Sequence, residues 1–310
     1  MKILFTGGSS FTGFWFCKLL LERGHEVVGL LTKKRNDYEG IRKKRIDYLS
    51  LHMDFVEEAP FGSEKGRSLL KTKTFDVLCH HGAYVKEYKS ENFDWLFALE
   101  NNTKHIQEVL SLCKEHAVGT IILTGSVFEP NEGIGSTPLR AFSPYGLSKG
   151  LTAEVFNYYA TVYGLTLGKF VIPNPFGIFE EKRFTFYLIE NWKRKQTAVV
   201  QTPNYIRDNI PCDLLAHCYC RFVEKMHAEK QKFCKANPSY FIESQGAFAL
   251  RVAREVSNRT GWHCPVELKE QKSYAEPYMR VNFQPALFDV PEWSEKRFWD
   301  DYITYAIENY

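Results

Sequence analysis

Short β-branched and leucine-rich runs alternate along the first half of the chain with longer stretches in which apolar residues return every three or four positions. The runs at 2–6, 26–31, 50–54, 75–81, 120–124 and 167–172 predict strands, and the stretches near 11–23, 91–116 and 144–163 predict helices. Strands separated by helices cannot pair as hairpins, so the pattern predicts an α/β fold with a parallel sheet. Gly24 suits the left-handed residue that closes the first helix. Beyond 172 the rhythm lapses, with Pro173, Pro175, Gly177, Pro203 and Pro211 punctuating the chain. A second region is expected there: 1–172, rejoined by part of 205–236, against 173–204 with 237–310. At the end, Phe298, Trp299, Tyr302, Ile303, Ala306 and Ile307 fall at helical spacing, which predicts an amphipathic helix over 293–310 packed on a body.

The first strand runs into Gly7-Gly8-Ser9-Ser10-Phe11-Thr12-Gly13 and then a helix. In that context a glycine turn can cradle a dinucleotide: the first glycine makes the turn, a small middle residue admits a pyrophosphate, and the last lets helix and strand approach. Free N–H groups at the helix start complete the anion site. The middle position here is Ser10, small enough to keep the reading. Gly7, Ser9, Ser10, Phe11, Thr12 and Gly13 are therefore expected to hold a cofactor.

After the second strand comes Thr32-Lys33-Lys34-Arg35, where an acidic residue would hold a ribose 2′-hydroxyl and an arginine would suit a 2′-phosphate. Three cations and no carboxylate favour NADP(H), with NAD(H) the alternative. Asp54 can accept from an adenine amino group, with Phe55 beside it.

Past the fifth strand lie Thr124-Gly125-Ser126 and, after a loop, Tyr145 and Lys149 at positions i and i+4 of a helix. A lysine ammonium near a phenol favours the phenolate and brings its pKa down from about 10. Such a tyrosine can exchange protons near neutral pH. Thr124 or Ser126 can hold the substrate oxygen meanwhile.

Taken together, TGGSSFTG, Asp54, His80, LTGSVFE and YGLSK resemble the extended short-chain dehydrogenase/reductase family, which includes nucleotide-sugar epimerases, dehydratases and ketoreductases. The resemblance implies a Rossmann-type doubly wound sheet with a smaller, mostly C-terminal substrate-binding region. It places the catalytic hydroxyl at Thr124, with Ser126 second, beside Tyr145 and Lys149. His80, Gly82 and Asn101 would line the cofactor side. Tyr84, Asn174 in an Asn-Pro-Phe-Gly loop, Arg207 as diphosphate anchor and Arg280 would face the substrate. The family's dehydratases carry Asp-Glu directly after the catalytic threonine; Gly125-Ser126 stands there instead and argues against water elimination. What remains is hydride transfer at a sugar carbon, C4 first, of a nucleotide sugar. The basic segment favours a ketoreductase, a 4-epimerase with retained NAD is the alternative, and a non-catalytic NADP(H)-binding redox sensor is the reading from another class. Family likeness also implies a homodimer through the helices near 91–116 and 144–163.

Composition narrows the setting. With 44% hydrophobic and 25% charged residues the 310-residue chain is an ordinary globular one, and a net charge of +3 is too small for a nucleic-acid footprint. Eight cysteines show no C-x-x-C pair or metal-ligand spacing, so they read as buried hydrophobes in a reducing compartment and no metal is expected. No run approaches the ~18 apolar residues of a membrane helix, and the apolar start at 3–5 is too short for a signal peptide. A cytoplasmic protein without nucleic-acid or membrane partners is expected.

Overall fold

The strand β1 (Lys2–Thr6) is buried everywhere but at its first residue, and it pairs in parallel on both sides, with β2 (Glu26–Leu30) and with β4 (Val77–His80). A strand enclosed on both faces needs the continuous Ile3-Leu4-Phe5 run found here. The computed structural model describes residues 1–310 and divides into two compact units. The first holds Met1–Glu132, Arg140–Ile172 and Ala216–Asn237; the second holds Gly133–Leu139, Pro173–Leu215 and Pro238–Tyr310. No helix is long and apolar enough to cross a membrane.

In the first unit β3 (Asp54–Val56), β5 (Thr120–Ser126), β6 (Thr166–Ile172) and β7 (Phe233–Ala236) complete a seven-stranded parallel sheet ordered β7-β6-β5-β4-β1-β2-β3. The order reverses between β1 and β4, and ligands of such sheets sit at the carboxyl ends of strands flanking that reversal. Thr6 and His80 end β1 and β4 side by side, and His80 also registers with Leu123 of β5. The helices include α1 (Phe11–Glu22), α2 (Gly40–Leu49), α3 (Glu64–Thr72), α4 (Trp95–Asn102), α5 (Ile106–Glu115) and α6 (Pro144–Tyr163). Leu4, Leu78, Ile121, Leu110 and Phe156 share the core between sheet and helices.

Three local expectations are revised. The strand expected at 50–54 is β3, which starts at Asp54. Ser50 closes α2 instead, its N–H and hydroxyl both donating to the Ile46 carbonyl at 2.9 and 2.7 Å. Leu51 and Met53 lie in the turn between α2 and β3, and the many cations of α2 hid that helix in the sequence. The long helix near 91–116 is two helices, broken before His105, whose left-handed φ of 52° cannot continue an α-helix. The amphipathic α3 was not expected at all.

In the second unit the strands Phe241–Ser244, Ile206–Pro211, Met279–Val281 and Ile134–Gly135 form a sheet, with Asn174–Phe176 paired to Ile206–Pro211. Its closing helix runs from Glu295 to Asn309, and Phe298, Trp299, Tyr302, Ile303 and Ala306 are the buried face. Of the expected apolar positions only Ile307 is left partly open, 37% exposed. Phe176 and Trp192 pack in the same core.

Candidate active site

The turn after β1 is built so that backbone and backbone meet. Gly7 has φ +84°, and a Cβ there would lie 2.7 Å from the Gly82 nitrogen; one on Gly13 would lie 2.2 Å from the Gly7 carbonyl oxygen. Ser10 caps α1: its Oγ accepts from the Gly13 N–H at 3.1 Å and donates to the Gly7 carbonyl at 2.8 Å. The first-turn N–H groups of a helix have no intrahelical acceptor, so they offer an anion site. Behind the turn the fully buried Arg45 donates to the Ser9 carbonyl at 3.2 Å and lies 5.7 Å from the Phe11 ring centre. Glycines with no room for a side chain, the first-turn N–H groups of a helix and a buried cation suit a dinucleotide. Gly29 leaves space for the Phe55 ring, which also borders Gly8, while Asp54 is exposed beside it.

Of the basic segment, Lys33 and Lys34 are exposed, but Arg35 is paired with Asp47 at 3.0 Å, and the Asp47 carboxyl is held below the usual carboxylate range by hydrogen bonds from Lys43 and Arg35. Thr32 is tied to the Tyr38 hydroxyl through both its N–H (3.2 Å) and its own hydroxyl (3.1 Å).

At the chemical end, α6 starts at Pro144 under the N-cap of Ser143, whose Oγ accepts from Gly146. Gly146 sits against the Phe128 carbonyl so closely that a Cβ would come within 2.2 Å. This seats the helix against the loop after β5. Lys149 is consequently buried, 5% exposed, and its Nζ donates to the Thr124 carbonyl at 2.6 Å. The Tyr145 ring meets Tyr88 and Phe93 edge-on at 5.4 and 5.9 Å. Thr124 Oγ1 lies 3.0 Å from His81 Nδ1. Ser126 instead closes a turn, its Oγ accepting from the Phe128 N–H at 3.2 Å.

His80, expected on the cofactor wall, is 2% exposed and stacked on Phe156 with Phe61 nearby. Its Nε2–H donates to the Asn102 carbonyl at 3.1 Å, and its Nδ1 lies 3.0 Å from Thr6 Oγ1, which in turn accepts from Gly82 N–H at 2.9 Å. Its apolar surroundings make it part of the frame. Asn101 is exposed, whereas its neighbour Asn102 is buried and accepts from the Tyr84 N–H at 2.9 Å. The Tyr84 ring packs on Phe93 and Phe97.

The sequence reading placed the strand end Val77–His81 on the cofactor side but gave His81 no role of its own, and it missed a charge cluster. Lys169, in the midst of apolar β6, meets Glu129 at 2.6 Å and Glu132 at 2.7 Å; Glu132 also meets Lys235 at 3.0 Å. Glu129 Oε1 accepts from the Ser126 N–H at 2.7 Å. Burial works against the Lys169 ammonium, yet the two carboxylates outweigh it and hold its pKa above the ordinary lysine value. Lys149 goes the other way: burial lowers its pKa, Glu129 pulls it back up and Lys169 pushes it down. A lysine inside a fully apolar strand must have buried partners, and that signal was readable.

In the second unit Asn174, Arg207 and Arg280 come together on neighbouring strands. Arg207 and Arg280 are register partners, and Asn174 Nδ2 donates to the Asp208 carbonyl at 3.1 Å. Arg207 pairs with Glu276 at 2.9 Å, donates to the Pro277 carbonyl at 3.1 Å and lies over the Tyr205 ring. Arg280 has no exposed surface.

Turn, sheet order and Tyr–Lys helix define a class, and the comparisons agree: the chain belongs to the NAD dependent epimerase/dehydratase family, whose model matches residues 3–234. A Bacillus subtilis (strain 168) protein, the uncharacterized UDP-glucose epimerase YtcB, is 27% identical over 179 residues, 54% of each chain. A 2-alkyl-3-oxoalkanoate reductase of Stenotrophomonas maltophilia (strain K279a) is 25% identical over 152 residues, 47% of this chain and 40% of that one. The chain thus spans about half the length, or less, of these curated relatives. Among solved structures, a UDP-glucuronic acid 4-epimerase variant from Bacillus cereus, in complex with a fluorinated UDP-sugar and NAD, superposes with TM-score 0.75 at 18% identity over 100% of both chains. A UDP-glucose-4-epimerase from Stenotrophomonas maltophila with bound NAD gives 0.76 at 16% over 99% and 98%. At these identities the structural likeness establishes the fold.

Proposed function

We propose that this chain transfers hydride reversibly at a sugar carbon, C4 first, of a nucleotide sugar, and that it does so as an epimerase with NAD(H). The observation that carries the reading is Lys149: a buried ammonium at the end of β5, one helical turn from Tyr145 and bonded to the residue that bears the Thr124 hydroxyl. A buried ammonium is costly unless it is paired or hydrogen-bonded, and Lys149 has the Thr124 carbonyl and the attraction of Glu129. In this reading NAD(H), when bound, supplies and recovers the hydride. Tyr145 exchanges the proton of the substrate oxygen, Lys149 stabilises the phenolate, and Thr124 orients that oxygen. Gly125 and Ser126 provide no acid–base pair for water elimination. Arg207 and Asn174 are assigned to the substrate side, as is Tyr84, whereas Arg280, with no exposed surface, is assigned to the frame of its strand. The names of the structural neighbours favour epimerisation over the net reduction expected from the basic segment, and Arg35 is already neutralised by Asp47. A ketoreductase using NADP(H) is the second reading, favoured by exposed Lys33 and Lys34.

Native mass spectrometry separates the two. Retained NAD(H) supports the epimerase, whereas an empty chain that binds NADPH better than NADH supports the reductase. Tyr145→Phe should lower turnover by ~10²- to 10⁴-fold with cofactor binding intact; an active variant overturns both readings. We also assign a homodimer, because α4 and α6 leave Leu96, Tyr158 and Val162 more than half exposed. A monomeric mass in light scattering would refute it.

A further inference from the structure

His81 joins the two ends of the candidate site. Its Nδ1 is 3.0 Å from Thr124 Oγ1, while its Nε2 is 3.0 Å from Ser10 Oγ and 3.1 Å from Thr12 Oγ1. The ring lies between Phe5 (centroids 5.9 Å apart) and the edge of Phe16 (5.2 Å), and its Cδ2 abuts Gly13, where a Cβ would come within 2.9 Å. It therefore has one orientation, with each nitrogen facing hydroxyls.

Proton counting then selects a tautomer. A hydroxyl has one proton. That of Ser10 goes to the Gly7 carbonyl, and the Ser10 oxygen also accepts from Gly13. Toward His81 it then offers a lone pair, and a ring proton on Nε2 is met by two oxygens at once, Ser10 Oγ and Thr12 Oγ1. Nδ1 is then bare, and the Thr124 hydroxyl must donate to it. With its proton turned inward, Thr124 presents lone pairs outward.

We propose that His81 is a positioning residue: held as the Nε2–H tautomer by the glycine turn, it accepts the Thr124 proton at Nδ1 and so fixes which way the Thr124 hydroxyl faces. This rests on the reaction proposed above. His81 is not itself a proton store: burial, aided by the Lys149 ammonium, pushes its pKa down to about 3. His80 is pushed down likewise, by burial first, so the two neighbouring rings do not charge each other at neutral pH.

Nitrogen-15 NMR of the ring nitrogens in the full chain tests the tautomer without any substrate, the His81 signals being assigned by their loss in His81→Phe. The expected result is a protonated Nε2 and a bare Nδ1, unchanged from about pH 8 to about pH 5, with the Nδ1 resonance moved by Thr124→Val. A proton on Nδ1, or a ring that titrates in that range, overturns the proposal. Kinetics with UDP-glucose and NAD supply the second arm. His81→Phe should lower kcat ~10- to 100-fold with KM changed less than about threefold. His81→Asn, whose amide oxygen replaces Nδ1, should recover most of that loss, and His81→Gln, which reaches only toward Ser10, should not. Equal rates for the Asn and Gln variants count against the proposal. If the wild-type chain turns over no UDP-sugar while the NMR result holds, the reaction assigned above fails and the His81 tautomer stands.

Discussion

Replacing Lys169 with Met tests whether the ion cluster behind β5 holds the site together. Methionine is close in volume and can keep the stem's contact with Gly125, where a Cβ would lie 2.8 Å from Lys169 Cε, so the change is chiefly one of charge. It removes the cation at 2.6 Å from Glu129 and 2.7 Å from Glu132, two side chains that are 0% and 5% exposed. Glu132 keeps Lys235, so most of the loss falls on Glu129. Breaking a buried pair from one side costs about 3–5 kcal/mol, and the remaining pull of Lys149 puts the expectation at about 3 kcal/mol. The penalty is read by urea unfolding at about pH 8. A second change, Glu129→Gln in the same chain, should restore more than half of the loss. A Lys169→Met protein within about 1 kcal/mol of wild type at pH 8 would refute the reasoning.

Other perturbations follow from single groups. Burial pushes the Asp208 carboxyl up to about 7, against hydrogen bonds from Tyr240 and Asn282 that lower it. Its folded pKa exceeds the unfolded value of about 3.9, so its stabilising contribution is full below that and is lost as pH rises through about 7; Asp208→Asn should remove this loss and raise stability at pH 8 by at most roughly 4 kcal/mol. An unchanged slope of stability against pH between 4 and 7 would refute it. His80 and His81, both pushed down to about 3, have the opposite sign: their contribution is present above the unfolded value of about 6.5 and is lost as pH falls toward 3. In the Asp208→Asn background the melting temperature should fall on acidification below about pH 6.5, and a flat profile down to pH 4 contradicts their neutral burial. Gly13→Ala should weaken NAD(H) binding more than ~10-fold in calorimetry, because its Cβ meets the Gly7 carbonyl oxygen at 2.2 Å and the turn must open. Wild-type affinity would mean that the turn does not hold the cofactor.

Short-range regularities were legible along the chain. The strand–glycine–helix start, the Tyr145–Lys149 spacing and the closing amphipathic helix each lie within a few residues, where periodicity and turn chemistry act directly. The α/β class and the family likeness followed from them. The sequence was least informative where a local signal was masked, as in charge-rich α2, or where an apolar stretch broke at a backbone conformation, as at His105. Tertiary structure alone decided what depends on distant partners. It turned His80 into framework and His81 into a bridge, because β4 sets one ring against Phe156 and leaves the next beside Thr124. It also joined Lys169 to Glu129 and neutralised Arg35 with Asp47. Charge and hydrogen-bond roles belong to pairs of groups, and the pairs here lie up to 103 residues apart along the chain, between Glu132 and Lys235. A residue's type is written in the sequence; the state of its proton is set by whatever the fold brings within 3 Å of it.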